Sequence, residues 1–159
     1  MRLRVQGIAV PPEVAEFADD IAHIFRELGP TGGGELITGE CSPSVDVYET
    51  DEALEIVVDV PGVSASAARV VVKGQAVLIA GEKRPRSGRG KSSFHLVERG
   101  FGRFARAVRL SPPCDGSRAR ARLAAGELRI TLPKIVERRG QRVTVAIEQG
   151  ATTSASSRP

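Results

Sequence analysis

The stretch Ala121-Arg122-Leu123-Ala124-Ala125-Gly126-Glu127-Leu128-Arg129-Ile130-Thr131-Leu132-Pro133-Lys134 decides the fold. Ala121 and Leu123 alternate with Arg122, and Leu128, Ile130 and Leu132 alternate with Arg129 and Thr131. A period of two places one side-chain set on a buried face and the other in solvent, so both runs are half-buried strands. Gly126 separates them, and Pro133 closes the second.

The same period recurs upstream. Val45 and Val47 flank Asp46; Leu54, Ile56, Val58 and Val60 alternate with Glu55, Val57 and Asp59. Val70 and Val72, then Val77 and Ile79, lie on either side of a turn at Lys73-Gly74-Gln75. Phe104, Val108 and Leu110 form a further run. Six to eight short strands, punctuated by Pro61-Gly62, Gly74, Gly81, Gly102, Pro112-Pro113 and Gly126, predict an all-β, immunoglobulin-like β-sandwich. No helical period falls between them, which argues against a parallel βαβ sheet.

The flanks differ in kind. Pro11-Pro12 precedes a helix expected to run to Leu28, where Gly29-Pro30 ends it. Val14, Phe17, Ala18, Ile21, Ile24, Phe25 and Leu28 share one face; Glu16, Asp19, Asp20, Arg26 and Glu27 share the other. Gly29-Pro30-Thr31-Gly32-Gly33-Gly34 reads as a flexible linker. Beyond Pro133-Lys134 the chain is polar, apart from Val143-Thr144-Val145-Ala146-Ile147, and ends in a Ser/Thr/Ala-rich tail. Three parts are expected: 1–42 with the amphipathic helix and linker, 43–134 as the sandwich, and 135–159 as a flexible C-terminal extension.

Composition narrows the function. The 159 residues are long enough to bury a core without a disulfide or a metal. Five Phe, one Tyr and no Trp leave that core to aliphatic side chains. The net charge of +4 is unevenly spread. Residues 1–42 hold three basic and seven acidic side chains, and residues 43–134 hold sixteen and ten. Cys41 and Cys114 lie far apart with no CxxC spacing, and no apolar run reaches membrane-spanning length. A reduced, soluble, cytoplasmic protein is expected, with no membrane association.

Several motifs suggest chemistry that their context does not support. Gly90-Lys91-Ser92 resembles the end of a phosphate-binding loop, but position 85, where that loop needs glycine, holds Pro85. Gly100-Phe101-Gly102-Arg103-Phe104-Ala105 fits a dinucleotide fingerprint on paper, yet it opens a strand where that fingerprint must open a helix. His23 and His95 have no partner at ligand spacing, and no nucleophile elbow is present. No enzyme activity, metal or cofactor is expected. Lys83, Arg84, Arg86, Arg89 and Lys91 form a basic run that could bind a polyanion by releasing counterions. No aromatic interleaves it to stack on bases, so it also reads as a solvated loop, and nucleic acid is not the expected partner.

A sandwich with no catalytic groups, between an apolar-faced helix and a tail with an apolar tripeptide, resembles the small heat-shock protein (α-crystallin) family. Pro43-Ser44-Val45-Asp46-Val47-Tyr48-Glu49-Thr50 looks like that family's opening strand, and Asp59-Val60-Pro61-Gly62-Val63 like its proline–glycine turn. Leu78-Ile79-Ala80-Gly81-Glu82-Lys83 matches a hairpin end. Phe94-His95-Leu96-Val97-Glu98-Arg99, followed by Gly102-Arg103-Phe104-Ala105-Arg106, matches the next block. The opening stretch carries the family's A-x-x-x-n-G-x-L signature, and Val145-Ala146-Ile147 looks like its I/V-x-I/V anchor. Ser111 stands where the family usually has proline, and Ala125 where it often has Asn.

The resemblance implies an ATP-independent chaperone, or holdase, that keeps unfolding proteins from aggregating as a homo-oligomer built from dimers. ATP-dependent chaperones would take over refolding. Phe17, Ile21, Ile24, Phe25 and Leu28 are the candidate client contacts; alternatively, that face packs on the protein's own sandwich. Val145 and Ile147 are the candidate oligomer anchor, unless they form a terminal strand of their own sheet. Fourteen residues separate Glu82-Lys83 from Glu98-Arg99, as in members whose loop donates a strand to a partner. Phe94 and His95 in that loop, and Arg109, which matches the family's dimer-interface arginine, are the dimer-interface candidates the resemblance implies, with an intrachain hairpin as the alternative for the loop. The rival functions are a polyanion-binding protein using residues 83–91 and a monomeric co-chaperone-like adaptor.

Overall fold

The computed structural model describes residues 4–5, 8–9, 12–30, 41–85 and 93–135. Two short strands, β1 (Arg4–Val5) and β2 (Ile8–Ala9), pair antiparallel at the start. A 3-10 turn over Pro12–Phe17 leads into α1 (Ala18–Glu27). Seven strands follow: β3 (Val45–Glu49), β4 (Ala53–Asp59), β5 (Ala68–Lys73), β6 (Ala76–Lys83), β7 (Gly102–Arg109), β8 (Arg120–Ala124) and β9 (Glu127–Pro133). They form two antiparallel sheets, β3-β4-β9-β8 and β5-β6-β7.

The period-two expectation locates the core. Leu54, Ile56 and Val58 of β4, Val77 and Ile79 of β6, Phe104 of β7 and Leu128, Ile130 and Leu132 of β9 meet between the sheets. Fully burying a side chain of this kind contributes roughly 1.5–3 kcal/mol. That is why β4, β6 and β9 form the interior of the molecule while β3 and β8 lie at sheet edges. The hairpin turns follow local chemistry. Lys73 pairs with Ala76 across a two-residue turn in which Gly74 takes φ +57°. Ala124 pairs with Glu127 across Ala125-Gly126, where both residues have positive φ, 51° and 80°.

The helix departs from its expected extent. In place of one helix over Pro12–Leu28, the first six residues form a 3-10 turn and the α-helix starts at Ala18. The residue at its N-cap is Phe17, which has no oxygen to accept from the first free N–H groups. Asp19 and Asp20 still place negative charge in the first turn, and Gly29 (φ +77°) ends the segment as expected. The rest of the Gly-rich linker, residues 31–34, lies outside the described residues.

Strand β6 is buried on both faces. Val77 and Ile79 point into the sandwich, while Ala76, Leu78 and Ala80 point outward and are covered by the N-terminal segment. Val14, Phe17, Ile21, Ile24 and Phe25 pack there with Val71 of β5 and Ala105 and Ala107 of β7. The molecule therefore has three layers in this region: helix, three-stranded sheet and four-stranded sheet.

Candidate functional site

The first candidate surface is the apolar face of α1. The structure buries Phe17, Ile21, Ile24 and Phe25 completely or nearly so against their own sheet, and half-buries Leu28. Of the two fates open to that face, the described conformation shows packing on the protein's own sandwich. Three ion pairs border the contact: Glu16–Arg109 (3.1 Å), Asp20–Lys73 (3.4 Å) and Glu27–Arg69 (3.5 Å). At the far end Arg84 donates to the Leu28 carbonyl at 3.2 Å, and Arg103 donates to the Gly29 carbonyl. Both arginines also flank the buried Glu82 carboxylate, at 3.2 and 3.9 Å. Positive charge at a helix C-terminus complements its dipole. The acidic N-terminal segment thus meets basic side chains at both ends and along its flank.

The second surface is the segment between β6 and β7. Phe94, Leu96 and Val97 are 57%, 74% and 40% exposed, and His95 is exposed beside them. Among the described residues this segment forms no strand and pairs with neither sheet, so the intrachain hairpin does not occur within 93–99. Across the molecule, β3 leaves one edge without a neighbouring strand among the described residues. Val47 faces inward by register, opposite Ile56, and is still 45% exposed. Arg109 does not join this surface. It pairs with Glu16 of its own chain, and both side chains are largely exposed.

The third surface runs along the opposite edge, where β5 and β8 approach each other. Val70, Val72, Ala119 and Leu123 pack against the core yet are only half-buried. The turn preceding β8 closes on Val72, for a Cβ on Gly116 would stand 2.7 Å from its Cγ1. These half-buried side chains form an apolar patch shared by β5, β8 and the turn before β8. Val145 and Ile147, the expected anchor, lie outside the described residues.

Among the described residues the remaining groups do not assemble a reactive centre. Glu55 accepts from the Tyr48 hydroxyl at 2.6 Å and from Arg129 at 2.9 Å. Those hydrogen bonds hold the Glu55 carboxyl below its ordinary range, and bonding to Glu55 raises the Tyr48 phenol. Desolvation raises the Cys41 and Cys114 thiols, which keeps them protonated and weakly nucleophilic at neutral pH. A cleft near Cys41 is lined also by Asp59, Lys83 and Phe104 and brings no nucleophile–base pair together. His23 sits 3.3 Å from Glu27 on the exposed side of α1. No group of three metal-ligating side chains occurs among the described residues, and no described helix is long and apolar enough to cross a membrane. Gly102 opens a strand, as the context of its fingerprint predicts. Of the basic run, Arg84 is engaged with Glu82 and Leu28, and Lys83 lies 5.8 Å from the Phe101 ring centre. Arg86, Arg89 and Lys91 lie outside the described residues.

Sequence reasoning missed the receiving side of the helix contact. Its signal was the unbroken apolar run Ala76-Val77-Leu78-Ile79-Ala80, because a strand buried on both faces does not alternate. Ala105 and Ala107 gave a second signal: small residues at every other position of β7 leave room for a helix.

Comparison with known proteins accords with this architecture. A model of the Hsp20/alpha crystallin family matches residues 46–148. Spore protein SP21 of Stigmatella aurantiaca is 41% identical over 105 residues, covering 65% of this chain and 62% of that protein. The 21.9 kDa heat shock protein of rice (Oryza sativa subsp. japonica) is 32% identical over 160 residues, covering 89% and 77%. Among solved structures, heat shock protein 16.0 of Schizosaccharomyces pombe superposes with a TM-score of 0.55 at 32% identity. That match covers 69% of this chain and all of the other. A small heat-shock protein from Xylella fastidiosa, described as having a distinct high order structure, gives 0.57 at 27% identity, covering 66% and 96%.

Proposed function

The chain belongs to the Hsp20/alpha crystallin family of small heat-shock chaperones, and on that premise we propose that it is an ATP-independent holdase acting as a homo-oligomer built from dimers. The observation that carries this reading is an amphipathic helix lying on its own sheet, with largely exposed ion pairs at its border. Exposed pairs of this kind contribute little stability each, and part of their attraction is screened by salt. Most of the hold comes from the buried apolar face, so heat, or an unfolding protein that offers equivalent apolar cover, lifts the helix and exposes Phe17, Ile21, Ile24, Phe25 and Leu28 to clients.

Assembly uses the other two surfaces. The segment around Phe94 and His95 adds to the free β3 edge of a partner, covering its own apolar side chains and a strand edge at once. In that dimer Arg109 exchanges Glu16 for an acid across the interface. Val145 and Ile147 dock on the half-buried β5/β8 patch of a neighbouring subunit. Burying two such side chains contributes roughly 3–6 kcal/mol gross, and association costs of about 4–15 kcal/mol offset most of it. One tail is a weak clip; many tails acting together hold an assembly that still exchanges. The three-part division at 42 and 134 follows these roles. Release of clients to ATP-dependent chaperones and a cytoplasmic location complete the proposal.

The test is to heat a labile protein with an equimolar amount of the chain, without nucleotide, and follow light scattering. Suppressed scattering with the client retained in soluble, high-mass complexes is expected. Scattering equal to that of the client alone overturns the reading.

A further inference from the structure

The site under α1 has a chemistry of its own. Its floor is made of Val71, Ala76, Leu78, Ala80, Ala105 and Ala107 across three strands. Alanine at four of these six positions makes the floor shallow enough for a helix to lie close to the sheet. Along its border Arg69 and Lys73 of β5 meet acids of α1, Arg109 at the end of β7 meets Glu16 just before it, and Arg84 and Arg103, which also flank Glu82 of the sheet, donate to the carbonyls that follow the helix. Two of these cations also lie near aromatic rings of the N-terminal segment, Lys73 at 6.0 Å from Phe17 and Arg103 at 4.9 Å from Phe25. Apart from those two rings, the contacts call on three properties of the N-terminal segment: a helical apolar stripe, acidic flanks and a C-terminal turn with carbonyls to offer.

We propose that the outer face of the β5-β6-β7 sheet is a receptor for acidic amphipathic helices of client proteins, and that α1 is its resident intrachain ligand. The proposal rests on the holdase reading and sharpens it by naming a second client surface and the segments it prefers. While α1 is seated, both apolar faces are hidden together. When it lifts, the helix face and the receptor face open at the same moment, and a client helix that holds the receptor prevents α1 from returning. The charge imbalance between the acidic first 42 residues and the basic sandwich is then a recognition code that clients share with α1.

The test uses the full chain and a fluorescent synthetic peptide that forms an acidic amphipathic helix unrelated in sequence to α1. A companion peptide has every Asp and Glu replaced by Lys. Ile21→Asp with Phe25→Asp removes the resident ligand and frees the receptor. The acidic peptide is expected to bind this variant about tenfold tighter than the wild type, because the competing occupant is gone. The Lys peptide should bind far more weakly, and rising salt should weaken the acidic one. Phe25→Ala, a milder change, should give the same order of affinities should the double variant not fold. Equal binding of the acidic and Lys peptides overturns the proposal. So does binding restricted to a peptide of residues 12–28, which would make the face a self-exchange site. A chain that suppresses client aggregation but binds neither peptide contradicts this proposal alone; one that binds the acidic peptide but suppresses no aggregation contradicts the holdase reading alone.

Discussion

The guanidinium of Arg103, on β7, lies over the ring of Phe25, in the last turns of α1, at 4.9 Å from its centre. The same guanidinium donates to the Gly29 carbonyl, so one side chain holds both the face and the end of the helix. Phe25 is nearly fully buried. Truncating such a ring typically costs about 3–5 kcal/mol. In Phe25→Ala that loss should fall on helix docking, because Phe25 touches the outer face of the sheet and not the core between the sheets. Hydrogen exchange checks this: amides of α1 lose protection in the variant while those of β4 and β9 keep theirs.

Salt should act on the same contact in the wild type. Glu16–Arg109, Asp20–Lys73 and Glu27–Arg69 all have largely exposed members. At 1 M salt the screening length falls to about 3 Å. Exchange in α1 should therefore speed up with added salt, while exchange in the sandwich core stays constant. Neutralising Lys73 and Arg69 to Gln should reproduce the high-salt behaviour at low salt, with little further response to added salt.

The turn between β8 and β9 holds an alanine in a glycine's conformation. Ala125 has φ 51°, a region that costs an L-residue with a Cβ roughly 1–2 kcal/mol. Asn tolerates it, and Asn-Gly is the favoured pair for such a turn. Ala125→Asn should raise stability by about 0.5–1 kcal/mol, read as a higher midpoint in denaturant. Gly126→Ala should do the reverse. Its new Cβ would meet Pro61 Cα at 3.1 Å in addition to the strain at φ 80°.

How much was legible in the sequence follows from which groups carry local signals. The core of β4 and β9 was readable because Leu54, Ile56, Val58, Leu128, Ile130 and Leu132 alternate with residues on the opposite face. The receptor face of β6 was not, because period two vanishes where both faces are covered, and only Val77 and Ile79 stood out. The helix was readable in position and face. Its docking place was not, since Asp20 and Lys73 meet across fifty-three residues of chain and no local pattern records that pairing. Arg109 stood out only through the family resemblance, and its partner within the chain, Glu16, lies on a segment whose placement depends on tertiary packing.

Acid should weaken the outer face of the four-stranded sheet before the core. Hydrogen bonds from Tyr48 and Arg129 lower the Glu55 carboxyl below its ordinary value of 4.5. A depressed folded-state value means the unfolded chain takes up the proton first. The contribution is therefore complete above about pH 4.5 and is lost as pH falls through the lower folded value. Glu55→Gln should flatten that part of the stability–pH curve and leave the neutral region nearly unchanged in slope, as measured by denaturant midpoints between pH 2 and pH 7.

Client protection should require α1 to leave its sheet, and locking the helix in place tests this. Asp20→Cys with Lys73→Cys, at positions whose present side-chain tips stand 3.4 Å apart, permits a short cleavable thiol cross-link between helix and sheet. Cys41→Ser would remove the half-exposed native thiol. The measurement is light scattering from a heated labile client, without nucleotide, with the chain locked and again after the link is cleaved. Aggregation is expected with the locked chain and suppression once it is released. Equal protection in both states, or protection in neither, would contradict this requirement.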